Sequence, residues 1–259
     1  WRIPCQKINA WICPTWHPAY ILRSNYGVSE KENDVRKLFF ERHLKAACRL
    51  GKRPWKEVPD WKKEVKIVVN PEEAAGEINR MMSYSGTVVS VDFETDRLKP
   101  DHPDTWIVCC GVSDGRTTLT YPWHGRAVKA TEELLFSDIP KIGWNLKFEN
   151  RFAMKAFGRP INNWLWDGML ASHILDNRPE INSLKFQAFV QLGMESYDDE
   201  IAPFLRSDNS NKSNRIKEVD LKKLLLYCGL DALLEWKLAR KQMKQFMGAD
   251  PTLMDRLSA

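Results

Sequence analysis

The chain has 259 residues, 43% of them apolar, which is enough for one large domain or two small ones with a real core. Composition and residue spacing exclude several classes of protein. No apolar run is long enough to span a bilayer, the start Trp-Arg-Ile-Pro is not a signal peptide, and neither C-x-x-C pairs nor zinc-type histidine spacing occur. The six cysteines are therefore expected to be free thiols in a reducing, cytoplasmic compartment.

The net charge of +5 is unevenly distributed along the chain. Residues 1–63 carry 14 Lys or Arg and 6 Asp or Glu, which gives +8, whereas the remainder carries 25 and 28, which gives −3. The basic part suggests a polyanionic partner, and the acidic part suggests a metal-binding carboxylate cluster. A solvated basic face explains the first part equally well.

The N-terminal residues 1–51 are expected to form a short strand at 8–12 and an amphipathic helix at 30–51 with a basic face. Between these elements stands C-P-T-W-H-P-A-Y-I-L-R, residues 13–23. This motif and the basic helix resemble the C-terminal end of a thermophile-type uracil-DNA glycosylase domain, which implies that His17 contacts a flipped base. The upstream half of that family is absent, so no glycosylase activity is expected. Alternatively, His17-Pro18 is only a turn at a helix start.

The Pro- and Lys-rich residues 52–63 indicate a linker. A second unit then begins with a strand at 65–69 and a helix at 72–82. Asn70 is expected to cap that helix, with Pro71 at its first position.

The stretch Val88–Leu98 reads V-V-S-V-D-F-E-T-D-R-L and indicates a buried strand that ends in acids. Because side chains on a strand alternate between faces, Asp92 and Glu94 point the same way. Two neighbouring carboxylates repel each other, and hard divalent cations take carboxylate oxygens. A metal site and two solvated acids at a strand end are equally compatible with this stretch alone.

The next elements are expected as strands 106–112 and 117–121, joined by a turn at Asp114-Gly115, then helix 131–135 and strand 141–144. Helices are expected at 146–157, 168–176, 182–192 and 219–246. This order predicts an α/β domain with a mixed sheet.

A second acidic motif is K-I-G-W-N-L-K-F-E-N, residues 141–150. Asn145 is expected to cap the helix that follows, and Glu149 is expected on the same helix face. An acid in the first turn also suits the helix dipole, so Glu149 has a purely structural alternative.

A third motif lies on the last long helix, where Tyr227 and Asp231 are four residues apart and share a face. Taken alone, such residues are usually at the surface, and Glu235, one turn further, is expected there. Gly229 inside this helix costs about 1 kcal/mol relative to Ala, which indicates close packing against it.

The three motifs in this order, D-x-E, N-x-x-F-acid and Y-x-x-x-D, resemble the DEDDy 3′–5′ exonuclease family, with its greatest likeness to the proofreading domain of bacterial DNA polymerase I. The resemblance covers residues 64–248 and implies a ribonuclease H-like mixed sheet flanked by helices. It also implies two divalent cations, Mg²⁺ or Mn²⁺. The implied metal ligands are Asp92, Glu94, Glu149 and Asp231; the implied catalytic residues are Asp92, Glu94, Tyr227 and Asp231; the implied substrate-binding residues are Thr95, Leu98, Asn145 and Phe148.

One position departs from the family, which has Asp where this chain has Glu149. The longer side chain keeps the charge but must reach a metal by a different rotamer, so a reduced and a lost activity both stay open. The nearby Asp167 is interpreted as a structural cap at a strand-to-helix junction.

The resemblance implies hydrolysis of the terminal phosphodiester at single-stranded DNA 3′ ends, with release of nucleoside 5′-monophosphates. The alternatives are an RNA 3′-end trimming exonuclease and a non-catalytic DNA-binding module with a degenerate metal site. The expected organisation is a glycosylase-like fragment (1–51), a linker (52–63), an exonuclease domain (64–248) and the start of a following segment (249–259). The likeness to polymerase I suggests a longer parent chain and leaves open whether a polymerase domain follows.

Overall fold

The computed structural model describes residues 2–22, 30–209 and 212–249. The chain divides into two compact units, residues 1–59 with 188–195 and residues 60–187 with 196–259. The expected boundaries at 51 and 63 stay predictions, and the expected following segment lies outside the described residues beyond Ala249. None of the helices in the described part of the chain has the length and apolar character that crossing a bilayer requires.

The first unit contains a two-stranded antiparallel hairpin and two helices ahead of residue 59. The helix predicted for 30–51 is confirmed with an earlier end, and the predicted strand at 8–12 is shorter because Asn9, with a φ of 45°, turns the hairpin. The elements are β1 (Ile3–Cys5), β2 (Ala10–Ile12), α1 (Pro18–Leu22) and α2 (Glu30–Cys48).

His17 is exposed at the start of α1, where its ring Nδ1 accepts a hydrogen bond from the backbone N–H of Ala19 at 3.1 Å. This is the arrangement of a residue that begins a helix. It corresponds to the simpler alternative for the His-Pro motif.

The second unit is built on a six-stranded mixed sheet with the strand order β3-β6-β5-β4-β7-β8. Strand β4 pairs antiparallel with β5 and parallel with β7, so the mixed sheet expected from the sequence is confirmed. The strands are β3 (Val65–Ile67), β4 (Val89–Thr95), β5 (Ile107–Ser113), β6 (Thr118–Pro122), β7 (Lys141–Gly143) and β8 (Trp164–Asp167).

Helices flank this sheet on both faces. Helix α4 is longer than expected, and β8 was not predicted because its Trp-rich sequence carries no alternation. The helices after residue 59 are α3 (Pro71–Met82), α4 (Gly125–Phe136), α5 (Lys147–Phe157), α6 (Gly168–Leu175), α7 (Leu184–Leu192), α8 (Ala202–Leu205) and α9 (Leu221–Ala249), and residues 188–192 of α7 belong to the first unit.

Two local predictions are confirmed. The side-chain oxygen of Asn70 caps α3 by accepting hydrogen bonds from the backbone N–H groups of Glu72 and Glu73. In the β5–β6 hairpin, Gly115 has a φ of 77°, a backbone conformation that glycine adopts without strain, and Asp114 Oδ1 accepts the N–H of Thr117 at 2.7 Å.

Strand β4 separates the main core from the face that carries the acids. Val89, Val91 and Phe93 are buried in the core that α3 and α4 cover. Because the side chains alternate, Asp92 points to the opposite face, which α9 covers. There the hydroxyl of Ser90 donates to the carbonyl of Ala232 at 2.6 Å and holds the helix against the strand.

Helix α9 approaches the sheet closely at two glycines. A Cβ at Gly111 of β5 would lie 2.7 Å from the carbonyl oxygen of Cys228, and one at Gly229 would lie 2.4 Å from Val65 Cγ1. The close packing expected at Gly229 is therefore present. It places the middle of α9 directly over the acids of β4.

Candidate metal centre

Three carboxylates come together where α9 crosses β4. Asp92 and Glu94 are two residues apart on β4, and Asp231 comes from α9. One ligand oxygen from each lies within 4.8 Å of the other two. The structure thus unites three of the four acids that the sequence motifs single out.

Burial and mutual repulsion make it unfavourable for all three carboxylates to be ionised without a cation. Burial, and next the charge of Asp231, raise the pKa of Asp92 to about 7. Burial, and next the charge of Asp92, raise the pKa of Glu94 well above its usual range. The Oδ2 atom of Asp92 is also buried without a hydrogen-bond partner among the described residues. Hard oxygen donors that repel each other fit a divalent cation such as Mg²⁺ or Mn²⁺.

A lysine and two tyrosines surround Asp231. Lys185 Nζ donates to Asp231 Oδ2 at 2.7 Å and to the hydroxyl of Tyr227 at 2.6 Å. The hydroxyl of Tyr197 donates to Asp231 Oδ1. Burial, and next Asp231, raise the pKa of Tyr227, so its hydroxyl stays neutral. Tyr227 and Asp231 therefore lie together as their spacing predicts.

Two of these residues were missed as site residues. Lys185 stands in S-L-K-F-Q (183–187), a stretch in which no pattern assigns a role to the lysine. Tyr197 lies in a loop without periodicity, and no local signal could have identified it.

Glu149 lies near the three-acid group but is not part of it. Its side chain is buried on α5, and its Oε2 has no hydrogen-bond partner in the part of the chain that the structure describes. Burial, and next the charge of Asp92, raise the pKa of Glu149 well above its usual range. Its role as a metal ligand stays a prediction.

The prediction that Asn145 caps α5 is wrong. Asn145 has a φ of 69°, and no side chain caps α5, whose N-terminal flank is Leu146. Instead, the carboxylate of Asp167 accepts the backbone N–H groups of Asn145 at 3.2 Å and Leu146 at 3.1 Å. Asp167 also caps α6, as its interpretation as a structural residue predicts. Asn145 is outside α5 and does not share a helix face with Glu149.

The expectation that Glu235 lies at the surface is also wrong. Its side chain is 1% exposed on the sheet-facing side of α9. The error arises because the face of a helix that carries an acid is usually solvated, whereas here that face covers a site of further acids.

The remaining predicted substrate residues occupy different environments. Thr95 is buried at the register shift near the end of the β4–β5 pairing, and its hydroxyl donates to the carbonyl of Arg97 at 2.6 Å. Leu98 is 56% exposed, and Phe148 is half-buried with its ring 4.8 Å from that of Phe152. The side chain of Leu98 is thus largely open to solvent, while Phe148 presents only part of its ring. Their substrate roles stay predictions.

No family model matches this sequence, and no curated protein matches it. Among solved structures, the chain is similar to Brucella melitensis NrnC with bound Mg²⁺, at 18% identity and a TM-score of 0.51 over 75% of this chain and 85% of that one. It is similar to Escherichia coli RNase D, an exoribonuclease involved in structured RNA processing, at 12% identity and a TM-score of 0.50 over 75% of this chain and 48% of that one.

A third similar structure is the POL domain of Pol1 from M. smegmatis with DNA primer-template and dNTP, at 14% identity and a TM-score of 0.50 over 73% of this chain and 28% of that one. At such identities the likeness concerns the fold, and it agrees with the ribonuclease H-like sheet expected from the sequence. The glycosylase resemblance of residues 1–51 gains no support.

Proposed function

We propose that this chain is a metal-dependent 3′–5′ exonuclease that shortens single-stranded nucleic acid. The observation that carries the proposal is the group Asp92, Glu94 and Asp231, with ligand oxygens within 4.8 Å of one another and a tyrosine hydroxyl beside it. Such a group suits phosphodiester hydrolysis because the reaction needs both an activated water and an electrophilic phosphate.

The residues have separate roles in this proposal. Asp92, Glu94 and Asp231 would hold the divalent cation, which when bound lowers the pKa of water and offsets negative charge on the phosphate. The neutral hydroxyl of Tyr227 orients the attacking water as a donor or an acceptor. Lys185 fixes that hydroxyl through its 2.6 Å hydrogen bond.

RNA is the favoured substrate, ahead of the DNA proofreading function that the motifs first suggested. RNase D is an exoribonuclease, and NrnC has also been solved bound to pGG. The similarity to Pol1 with DNA supports DNA as the substrate, although it spans only 28% of that chain. The exposed side chain of Leu98 is suited to packing against an unstacked base of single-stranded RNA or DNA.

The test uses RNA and DNA oligonucleotides of the same sequence, each labelled at the 5′ end and incubated with the chain in Mg²⁺ or Mn²⁺. We expect a ladder of products shortened from the 3′ end, with the RNA shortened faster. Asp92→Ala should abolish the ladder, while Glu133→Gln, which changes an exposed acid on α4, should not.

Two outcomes would argue against the proposal, one against the function and one against the metal centre. Binding of the oligonucleotide without any shortening in either metal favours the non-catalytic binding module. Shortening that survives in Asp92→Ala contradicts the assignment of the metal centre. Faster shortening of the DNA strand than of the RNA strand would identify DNA as the preferred substrate.

A further inference from the structure

A pocket beyond the end of β4 has no role in the proposed function so far. It has a volume of about 560 Å³, and its lining includes Asp96, Arg97, Thr105, Trp106, Asn214 and Lys217. Arg97 follows Glu94 of the candidate metal centre by three residues. Because three residues of chain span at most roughly 11 Å, the pocket begins close to that centre.

Arg97 brings a largely buried charge to this pocket. Its side chain is 13% exposed, and its Nε and Nη1 atoms have no hydrogen-bond partner among the residues that the structure describes. Asp96 Oδ2 lies 3.7 Å from Nε, while Asp96 Oδ1 accepts the backbone N–H of Trp106 at 2.9 Å. Burying the donors of a guanidinium without an acceptor is costly. Their planar fork matches an anion with two adjacent oxygens, such as a phosphodiester.

An exposed aromatic ring and a second cation line the same pocket. Trp106 is 46% exposed, and Lys217 Nζ lies 4.5 Å from the centroid of its ring. The remaining acid of the pocket, Asp104, is exposed to solvent, which screens its charge. Cations beside an aromatic ring are the combination that binds unpaired nucleotides, because the cations attract the phosphates and the base stacks on the ring.

The backbone that carries Lys217 is fixed to the end of β4. Asn214 Nδ2 donates to the carbonyl of Thr95 at 3.0 Å, and its backbone N–H donates to the carbonyl of Asp96 at 2.8 Å. The side-chain oxygen of Asn214 accepts the N–H of Ile216 at 3.1 Å, at the start of the short helical turn that contains Lys217. The pocket is therefore held together before any ligand binds, as a specific binding site requires.

We propose that this pocket binds the nucleic-acid strand upstream of the scissile bond. Arg97 and Lys217 contact a phosphodiester group of that strand, and Trp106 stacks with an unpaired base. This inference rests on the proposed function and deepens it, because it assigns a site to the part of the strand that remains after cleavage. The three residues set the affinity for the strand and do not touch the reacting atoms.

The first experiment measures binding without cleavage. All variants also carry Asp92→Ala, and a seven-nucleotide RNA labelled at its 5′ end is titrated by fluorescence anisotropy at several salt concentrations. Arg97→Gln and Lys217→Gln should each weaken binding and reduce the slope of log Kd against log salt by about 0.7, as expected for one lost contact to a single-stranded phosphate. Lys129→Gln, which removes an exposed cation from α4, should leave the slope unchanged.

Two further variants separate the charge from the shape of the site. Arg97→Lys keeps the charge but loses the planar fork, so it should bind more weakly with nearly the same salt slope. Trp106→Leu should weaken binding by about fivefold to a hundredfold at an unchanged slope, because only stacking is lost. If Arg97→Gln does not fold, Lys217→Gln and Trp106→Leu, which alter exposed side chains, decide the result.

The second experiment measures cleavage with Asp92 restored. Arg97→Gln should raise KM for the seven-nucleotide RNA by about tenfold or more at a nearly unchanged kcat. A dinucleotide with a 5′ hydroxyl has only the scissile phosphate, so its KM should not change. Damage to the metal centre would instead impair the cleavage of both substrates.

The inference is overturned if Arg97→Gln and Lys217→Gln bind RNA with the affinity and salt slope of Lys129→Gln, or if Arg97→Gln raises KM equally for both substrates. In either case shortening of RNA by the unaltered chain would leave the proposed function standing. Absence of both RNA binding and RNA shortening would overturn the proposed function and this inference together.

Discussion

Lys185 Nζ lies 2.7 Å from Asp231 Oδ2 and forms an ion pair with it inside the acidic centre. Burial lowers the pKa of Lys185, but the charge and hydrogen bond of Asp231 and the charges of Glu94 and Asp92 together outweigh this effect, so the pKa is raised overall. The lysine therefore stays charged and acts as an internal counter-ion. It partly offsets the repulsion between acids before any metal binds.

Removing this counter-ion should make the stability of the folded protein depend more strongly on bound metal. We expect Lys185→Met to lower the free energy of unfolding in EDTA by roughly 1–3 kcal/mol, below the cost of breaking a fully buried pair because Lys185 is 33% exposed. Mn²⁺ should bind more tightly and restore more stability than in the unaltered chain. Urea unfolding with and without Mn²⁺ measures both effects.

Lys185→Arg is the matched control, since it keeps the charge and should change metal affinity less. Equal Mn²⁺ affinity in Lys185→Met and the unaltered chain would show that the lysine does not act as a counter-ion.

Asp167 should be a structural residue and not a metal ligand. Its carboxylate accepts two backbone N–H groups ahead of α5 and two in the first turn of α6. Asp167→Ala leaves these donors without an acceptor, so we expect a loss of about 2–4 kcal/mol in the free energy of unfolding. Chemical unfolding measures this loss, and Mn²⁺ titration of the folded variant should give nearly unchanged affinity. Lost Mn²⁺ binding at unchanged stability would make Asp167 a ligand.

The sequence predicted the parts of the site that local patterns determine. Val89 and Val91 mark a strand, alternation puts Asp92 and Glu94 on one face, and a four-residue spacing brings Tyr227 beside Asp231. These relationships hold within a single element. They need no knowledge of which elements meet.

The missed features depend on partners far away in the chain. Asp167 binds the backbone of Asn145 from 22 residues away, and this removes the need for an asparagine cap. Tyr197 reaches Asp231 from a loop 34 residues earlier. Glu235 is buried because α9 crosses a strand of acids. Periodicity within a helix or strand carries no information on such long-range contacts.

Gly229 should be intolerant of a methyl group. Alanine favours a helix over glycine by about 1 kcal/mol, but a Cβ here would lie 2.4 Å from Val65 Cγ1 and 3.2 Å from Thr120 Cβ. We expect Gly229→Ala to lower the free energy of unfolding by about 1–3 kcal/mol through overpacking. Gly76 on α3 has no atom within 4 Å of its added Cβ among the described residues, so Gly76→Ala should be neutral or stabilising by up to about 1 kcal/mol. Urea unfolding of both variants checks the contrast, and a stabilised Gly229→Ala would show that α9 can move away from β3.

Lys141 should make stability depend on pH in the alkaline range. Its side chain is buried, and its Nζ donates to the carbonyl of Ser137 at 2.6 Å. Burial lowers the pKa of Lys141 to about 8 in the folded chain, against 10.5 for the free side chain. Between these values the unfolded chain binds the proton and the folded chain does not, so stability falls as the pH drops from 10.5 towards 8.

Lys141→Met removes this titration, so the difference in stability between the variant and the unaltered chain at each pH isolates its effect. We expect the variant to gain stability relative to the unaltered chain as the pH falls from 10.5 to 8, by up to about 3 kcal/mol, with no further change below pH 8. At high pH the variant should be the less stable of the two, because methionine leaves the carbonyl of Ser137 without its donor. Urea unfolding at intervals from pH 7 to 10.5 measures the difference, and the exposed Lys129→Met serves as the control with a flat profile. A flat difference for Lys141→Met as well would mean that the ammonium is solvated in the folded chain and that burial does not shift its pKa.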